Sequence, residues 1–238
     1  MPALIKVIRR AGKRTGPFDL KDFVEAGGLT ANDLKLPDGP LVKAAYEHAE
    51  EISDPLLFNH VLRSWLFAAA LAQAQQRKHD AELLAASTSL HGIGLTAAFT
   101  GEARFEVFGA NAARDFVARH GVDTPGQRII WDAIALHSTP SIAHFKEVEV
   151  ACCQYGIGMD FGGLGIDQLD RSTVDAIVAA VPRLSLKDEM KRCMCRLAHE
   201  HPHSTYGTFV EEFGRRFVDD YSTPISPVDL LLHAPFDE

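Results

Sequence analysis

At 238 residues the chain is long enough for one large domain with a substantial core and short for two independent ones. Its composition, 46% apolar and 24% charged, is that of a globular protein. A formal charge of −8 argues against nucleic acid or an anionic membrane as the main partner, since both call for a basic face, and no apolar run reaches the roughly 18 residues of a transmembrane helix.

Met1 to Gly16 carries Lys6, Arg9, Arg10, Lys13 and Arg14 but no acid and no apolar core, so it reads as a basic arm and not as a secretory signal. Residues 1–45, with Gly27, Gly28, Pro37 and Pro40, are expected to form an irregular extension, and residues 46–238 a single all-α helical domain. Pro55 to Gln76 reads as a helix with His60, Ser64, Phe67 and Leu71 on one face. Asp80 to His91 gives a second, with Leu83, Leu84, Ser87 and Leu90 inward and an end at Gly92 and Gly94. Phe105 to His120 is closed by Gly121. Gly126 to His137 stacks Ile129, Ala133 and His137, and Pro140 stops it. Glu147 to Asp160 turns Val148, Cys152, Tyr155 and Met159 inward before Phe161-Gly162-Gly163.

The last third repeats the pattern over Ser172 to Val181, Lys187 to His199 and Thr205 to Tyr221, where Phe209, Phe213 and Phe217 form a stripe read as core. Ser222 to Glu238 is proline-spotted and is expected to run over the surface. No alternating strand pattern, repeat or low-complexity linker occurs. Cys152-Cys153 and the Cys193/Cys195 pair fit neither zinc-finger spacing nor a secreted disulfide framework, so reduced thiols in a cytoplasmic protein are expected.

Four residues carry the chemical interest. His60 sits mid-helix on an apolar face, His91 closes a helix, His137 ends another, and Asp160 precedes a Phe-Gly-Gly turn. Each has a plain structural alternative: a core histidine bonded to a carbonyl, a C-terminal cap, a helix end, a polar turn residue. Their joint occurrence on inward helix faces suggests a shared metal, because a buried His or Asp needs a partner.

Several segments together resemble the HD-domain metalloprotein superfamily and, within it, the cyanamide-hydratase-like branch. They are Phe58-Asn59-His60 with Arg63-Ser64, Leu90-His91 with Ile93-Gly94-Leu95-Thr96, Arg104-Phe105-Glu106-Val107 with Gly109-Ala110, Trp131 to His137, and Gly158-Met159-Asp160. The likeness spans about Pro55 to Gly163 and continues less distinctly to Ala234-Pro235-Phe236-Asp237-Glu238. It implies an HD-type helical bundle and a divalent metal, zinc first and manganese or iron as alternatives, held by His60, His91 and Asp160. The family's His-Asp doublet maps to His91-Gly92, so one carboxylate ligand is missing, and an aspartate restored at Gly92 is expected to raise metal affinity.

What the resemblance implies chemically is a hydratase or hydrolase that adds a metal-activated water to a small nitrile-like substrate. His137 is the expected proton carrier, with Glu106 second; a helix N-terminal role is the plain alternative for Glu106. A phosphohydrolase is the alternative enzyme, although Leu95-Thr96 stands where many HD phosphohydrolases carry a lysine. Arg63 and Arg104 are the candidate phosphate ligands, with an equally good alternative as inward ion-pair partners of Glu106 or Asp132. Trp65, Phe67, Phe99 and Phe105 are candidate pocket walls. A third reading, prompted by Gly92, is an inactive HD fold kept for binding or regulation. The expected partner is a small molecule, with self-association into a homo-oligomer open.

Overall fold

A computed structural model describes Leu34 and residues 36–139, 141–222 and 226–236. The basic arm from Met1 to Gly16, Gly27, Gly28, Pro140, Asp237 and Glu238 lie outside the described residues. Ten α-helices and four short 3-10 turns make up the described chain, and no strand occurs among those residues.

Helix α1, Pro40–Ile52, already belongs to the helical body and turns Leu41, Val42, Ala45, Tyr46 and Ala49 inward. This corrects the expectation of an irregular segment reaching residue 45. Pro40 stands in the first turn, where its missing N–H removes no helical bond and its fixed φ suits the helix. Helix α2, Pro55–Ala74, starts at Asp54, whose side chain accepts from Leu57 N at 2.8 Å. It is buried on almost every side, which makes it the central rod. Helix α3, Ala81–Leu90, is capped by Asp80 and passes directly into a 3-10 turn, His91–Leu95.

Helices α4, Phe105–Arg119, and α5, Thr124–Ala135, pack as neighbours, the second capped by Asp123. Helix α6, Val148–Gly162, runs two residues further than the sequence pattern indicates and stops at Gly163, which adopts the left-handed conformation at φ 79°. Then come α7, Arg171–Ala180, α8, Leu186–Glu200, α9, Phe209–Phe217, and α10, Pro227–Leu232.

The most extensive packing is between α2 and α6. A Cβ added at Gly156 of α6 would fall 2.3 Å from the Ser64 carbonyl oxygen, so only glycine permits this approach. Three core clusters surround the pair: one under α1 and α7 around Trp65, one among α1, α3, α4 and α5, and one among α2, α5 and α6. A fourth cluster packs α8 and α9 over Phe105. The expected phenylalanine core stripe holds only in part: Phe209 and Phe213 are half-buried, and Phe217 is 52% exposed. On α10 every described side chain is exposed, Leu231 and Leu232 included.

Candidate metal centre and cavity

Three of the sequence-selected histidines gather at one end of the α2–α6 pair. His60 comes from the second turn of α2, His91 from the end of α3, and His137 from two residues beyond α5. All three are buried. The His60 and His91 ring centroids are 5.1 Å apart, those of His91 and His137 5.3 Å.

Each imidazole has its Nδ1 atom against an acceptor. His91 Nδ1 is 2.7 Å from the Thr88 carbonyl oxygen, and His137 Nδ1 is 2.6 Å from that of Ile134. His60 Nδ1 is 2.6 Å from Asp160 Oδ2. A carbonyl oxygen can only accept, so the Nδ1 atoms of His91 and His137 carry hydrogen and their Nε2 atoms keep a lone pair when neutral. His91 therefore both caps its helix and presents Nε2 inward, so the two sequence readings of this residue coexist. The Nε2 atoms of His60 and His91 face each other at 3.2 Å.

Two imidazole nitrogens on one tetrahedral zinc, each at about 2.0–2.1 Å, stand about 3.3 Å apart, so this pair fits a shared cation. Asp160 does not join it. Its contact with His60 runs through Nδ1, whereas the His60–His91 contact runs through Nε2 on the other edge of the ring. Both Asp160 oxygens are also engaged by arginine: Arg63 Nε reaches Oδ1 at 2.6 Å, Arg63 Nη2 reaches Oδ2 at 2.9 Å, and Arg183 Nη1 reaches Oδ1 at 2.8 Å. Among the described residues no group of three or more His, Cys, Asp or Glu side chains stands around one point as metal ligands would. The ligand set His60, His91 and Asp160 implied by the resemblance is thus reduced to the two imidazoles, with Asp160 orienting His60 from behind.

Electrostatics follow from this packing. Burial pushes the Asp160 carboxyl up, but hydrogen bonds and charge from His60 and Arg63 outweigh it and bring the pKa down to about 2. Burial holds His91 well below its ordinary value, with His60 and His137 adding to the effect. Burial lowers His137 as well, against an opposing pull from Glu106. Both are thereby kept as neutral bases near neutral pH.

A cavity of about 140 Å³ opens beside the imidazoles. His60, His91, His137 and Ser138 form its polar end, and its walls include Phe105, Met190, Met194 and Phe209. Of the expected wall residues, only Phe105 is there. Trp65 is buried against Tyr46 in the cluster under α1, because its position on α2 faces away from His91. Phe67 is buried in the same cluster. Phe99 packs on Phe108 and His201 outside the cavity. Arg63 is not available to an anion, since its guanidinium is committed to Asp160 and to the carbonyls of Val181 and Pro182.

Glu106 lies one step back from the cavity and accepts from Ser138 Oγ and from Arg104 Nη2. Asp132 pairs with Lys146 instead of an arginine. Several residues of the site, Met190 among them, are not picked out by the sequence. Ser138 was visible as the neighbour of His137, and Phe209 was hidden in an apparent core stripe. Arg183 and Met194 carry no local signal.

No protein-family model matches this chain, and a search of curated proteins returns no match.

Proposed function

We propose that the chain is a metal-dependent hydratase that adds water to a small nitrile-like nitrogen compound, in the manner of the cyanamide-hydratase-like HD proteins that its sequence resembles. The observation that carries the reading is the facing pair of imidazole Nε2 atoms, 3.2 Å apart, at the end of an otherwise apolar cavity. Two lone pairs at that separation repel unless a cation or a shared proton lies between them. His60 and His91 would hold a divalent metal, zinc in the first place, with manganese or iron as alternatives. Such an ion supplies Lewis acidity and a nucleophile at neutral pH.

The chain's own groups do the rest. Asp160 fixes the ring of His60 through Nδ1, and Arg63 and Arg183 fix Asp160. His137 Nε2, unprotonated at neutral pH, accepts the proton of the attacking water and returns it to the substrate nitrogen. Phe105, Phe209 and the methionines exclude bulk water. Phosphate ester cleavage is disfavoured because Arg63, Arg104 and Arg183 all engage carboxylates or carbonyls and none lines the cavity. Four free cysteines suit a reducing compartment such as the cytoplasm.

One second reading has a specific observation behind it. Gly92 offers no carboxylate and Asp160 is turned to arginine, which favours a fold kept for ligand binding without turnover. Metal analysis of the purified chain combined with a turnover screen separates the two. The hydratase reading expects near-stoichiometric metal, lost in His60→Ala and His91→Ala, and hydration of cyanamide or a small nitrile. A metal-free parent chain that stays inactive when zinc, manganese or iron is added overturns it in favour of the binding fold.

A further inference from the structure

The polar atoms of the cavity share a property that bears on what enters it. The Nε2 atoms of His91 and His137 are acceptors, because their Nδ1 hydrogens go to backbone carbonyls. Ser138 Oγ is turned the same way: its one hydrogen goes to Glu106 Oε1. That oxygen also takes a hydrogen bond from Arg104 Nη2 at 3.2 Å, so it acts as an acceptor toward both neighbours and the serine hydroxyl is the donor. Among the described residues no group donates to Ser138 Oγ, which leaves its lone pairs free for the cavity. Glu106 is fully buried, and its second oxygen has no hydrogen-bond partner among the described residues. A buried carboxylate with an open valence is costly and calls for a reason beyond packing. Its other oxygen takes the serine hydrogen, which leaves the lone pairs of Ser138 Oγ for a ligand.

Shape adds a second constraint. The cavity measures about 140 Å³, close to the roughly 150 Å³ of an apolar cavity that admits benzene. Its walls are phenylalanine and methionine, and methionine adapts to irregular apolar shapes.

We infer that Ser138, oriented by Glu106, selects the ligand by accepting a hydrogen bond from its N–H, and that the ligand is a neutral nitrogen compound whose apolar body gives it about six non-hydrogen atoms in all. The inference rests on the proposed ligand role of this cavity and specifies the chemistry it admits. A ligand without N–H leaves Ser138 Oγ without a donor.

The test compares propylcyanamide with its N-methyl derivative, which keeps the nitrile and the propyl group but lacks the N–H. Both are titrated calorimetrically into the full chain. The parent is expected to bind propylcyanamide about tenfold more tightly, the effect of one hydrogen bond. Ser138→Ala is expected to erase that difference, and Ser138→Thr, which keeps a hydroxyl, to retain it. The preference itself is read on the parent chain and does not depend on any variant folding, and Ser138→Thr checks that a loss in Ser138→Ala comes from the hydroxyl. Equal binding of the two, binding of neither, or a preference that survives in Ser138→Ala overturns the inference. Preferential binding without turnover upholds the role of Ser138 and counts against hydration alone.

Discussion

At Asp160 hydrogen bonds and charge from His60 and Arg63 outweigh what burial would do, and the stability of the protein becomes tied to pH. Its carboxyl falls from 3.8 to about 2 in the folded chain. The group therefore contributes stability that is complete above 3.8 and is lost as pH falls through about 2, amounting to about 2 kcal/mol. Urea unfolding followed from pH 5 to pH 2 is expected to show this loss in the parent and a flatter profile in Asp160→Asn. That variant should itself be destabilised by about 3–5 kcal/mol at neutral pH, because the Arg63 guanidinium, wholly buried, loses its counter-charge. An Asp160→Asn protein as stable as the parent would show that the arginine is satisfied by the carbonyls of Val181 and Pro182 alone. Gly92 gives a second residue-scale test. A Cβ there would meet Val61 Cγ2 at 3.1 Å and Leu57 Cδ1 at 3.3 Å, on the helix that carries His60. Gly92→Ala is expected to cost about 1–3 kcal/mol through crowding alone. Gly92→Asp bears the same crowding plus a carboxylate and is expected to bind zinc more tightly than Gly92→Ala. Equal zinc affinity in the two would remove position 92 from the metal's surroundings.

Helix starts are legible in the sequence at Asp54-Pro55 and at Asp80, where a cap and an apolar period coincide, whereas the pattern starts α5 at Gly126, two residues inside a helix that Asp123 caps from Thr124. Where a breaker residue has two meanings, the reading failed. Gly39-Pro40 looks like a loop, yet proline in a first turn opens α1. His91-Gly92-Ile93-Gly94 looks like a stop, yet it continues as a 3-10 turn in which Gly94 packs directly against the Phe105 carbonyl. The convergence of His60, His91 and His137 could be read from inward helix faces. Which edge of each ring meets the others could not, because it depends on Asp160, Thr88 and Ile134 supplied by separate elements. Nor could the pairing of Arg63 with Asp160 or the loss of Trp65 and Phe99 from the cavity wall, since both are set by how the helices cross. The α2–α6 contact is therefore the element to disturb. Gly156→Ala would drive a methyl into the Ser64 carbonyl and the Ala68 side chain, forcing α6 away from α2. Destabilisation of about 3 kcal/mol or more is expected. If the imidazole pair holds zinc, any folded Gly156→Ala protein should also bind it more weakly, because His60 loses the support of Asp160. Unchanged stability in thermal unfolding would mean that the two helices do not approach as closely as described.

Over the whole molecule, the cavity is where otherwise separate layers meet. Helix α2, the α3 end, the segment after α5, and α6 supply its base, while α8 and α9 close over it through Met190, Met194 and Phe209. Helix α10 supplies none of the cavity lining, and its exposed leucines contribute nothing to the core. Among the described residues no helix is long and apolar enough to cross a membrane. A ligand that bridges α2 and the α3 end ties together two of the main core clusters and should stabilise the fold as a unit. If the imidazole pair binds a cation, mass action adds about 4 kcal/mol to the folded state when free metal stands a thousandfold above its dissociation constant. In a chain of this size that corresponds to a rise of about 10 °C in melting temperature. Calorimetric melting of chelator-treated protein with and without added zinc is expected to show this rise in the parent. It should be absent in His60→Ala and in His91→Ala, but kept in Asp132→Ala, whose partner Lys146 lies elsewhere. A parent chain with the same melting temperature in zinc and in chelator would rule out a metal between His60 and His91. The short Nε2–Nε2 contact would then be a shared proton, and the cavity a site for binding alone.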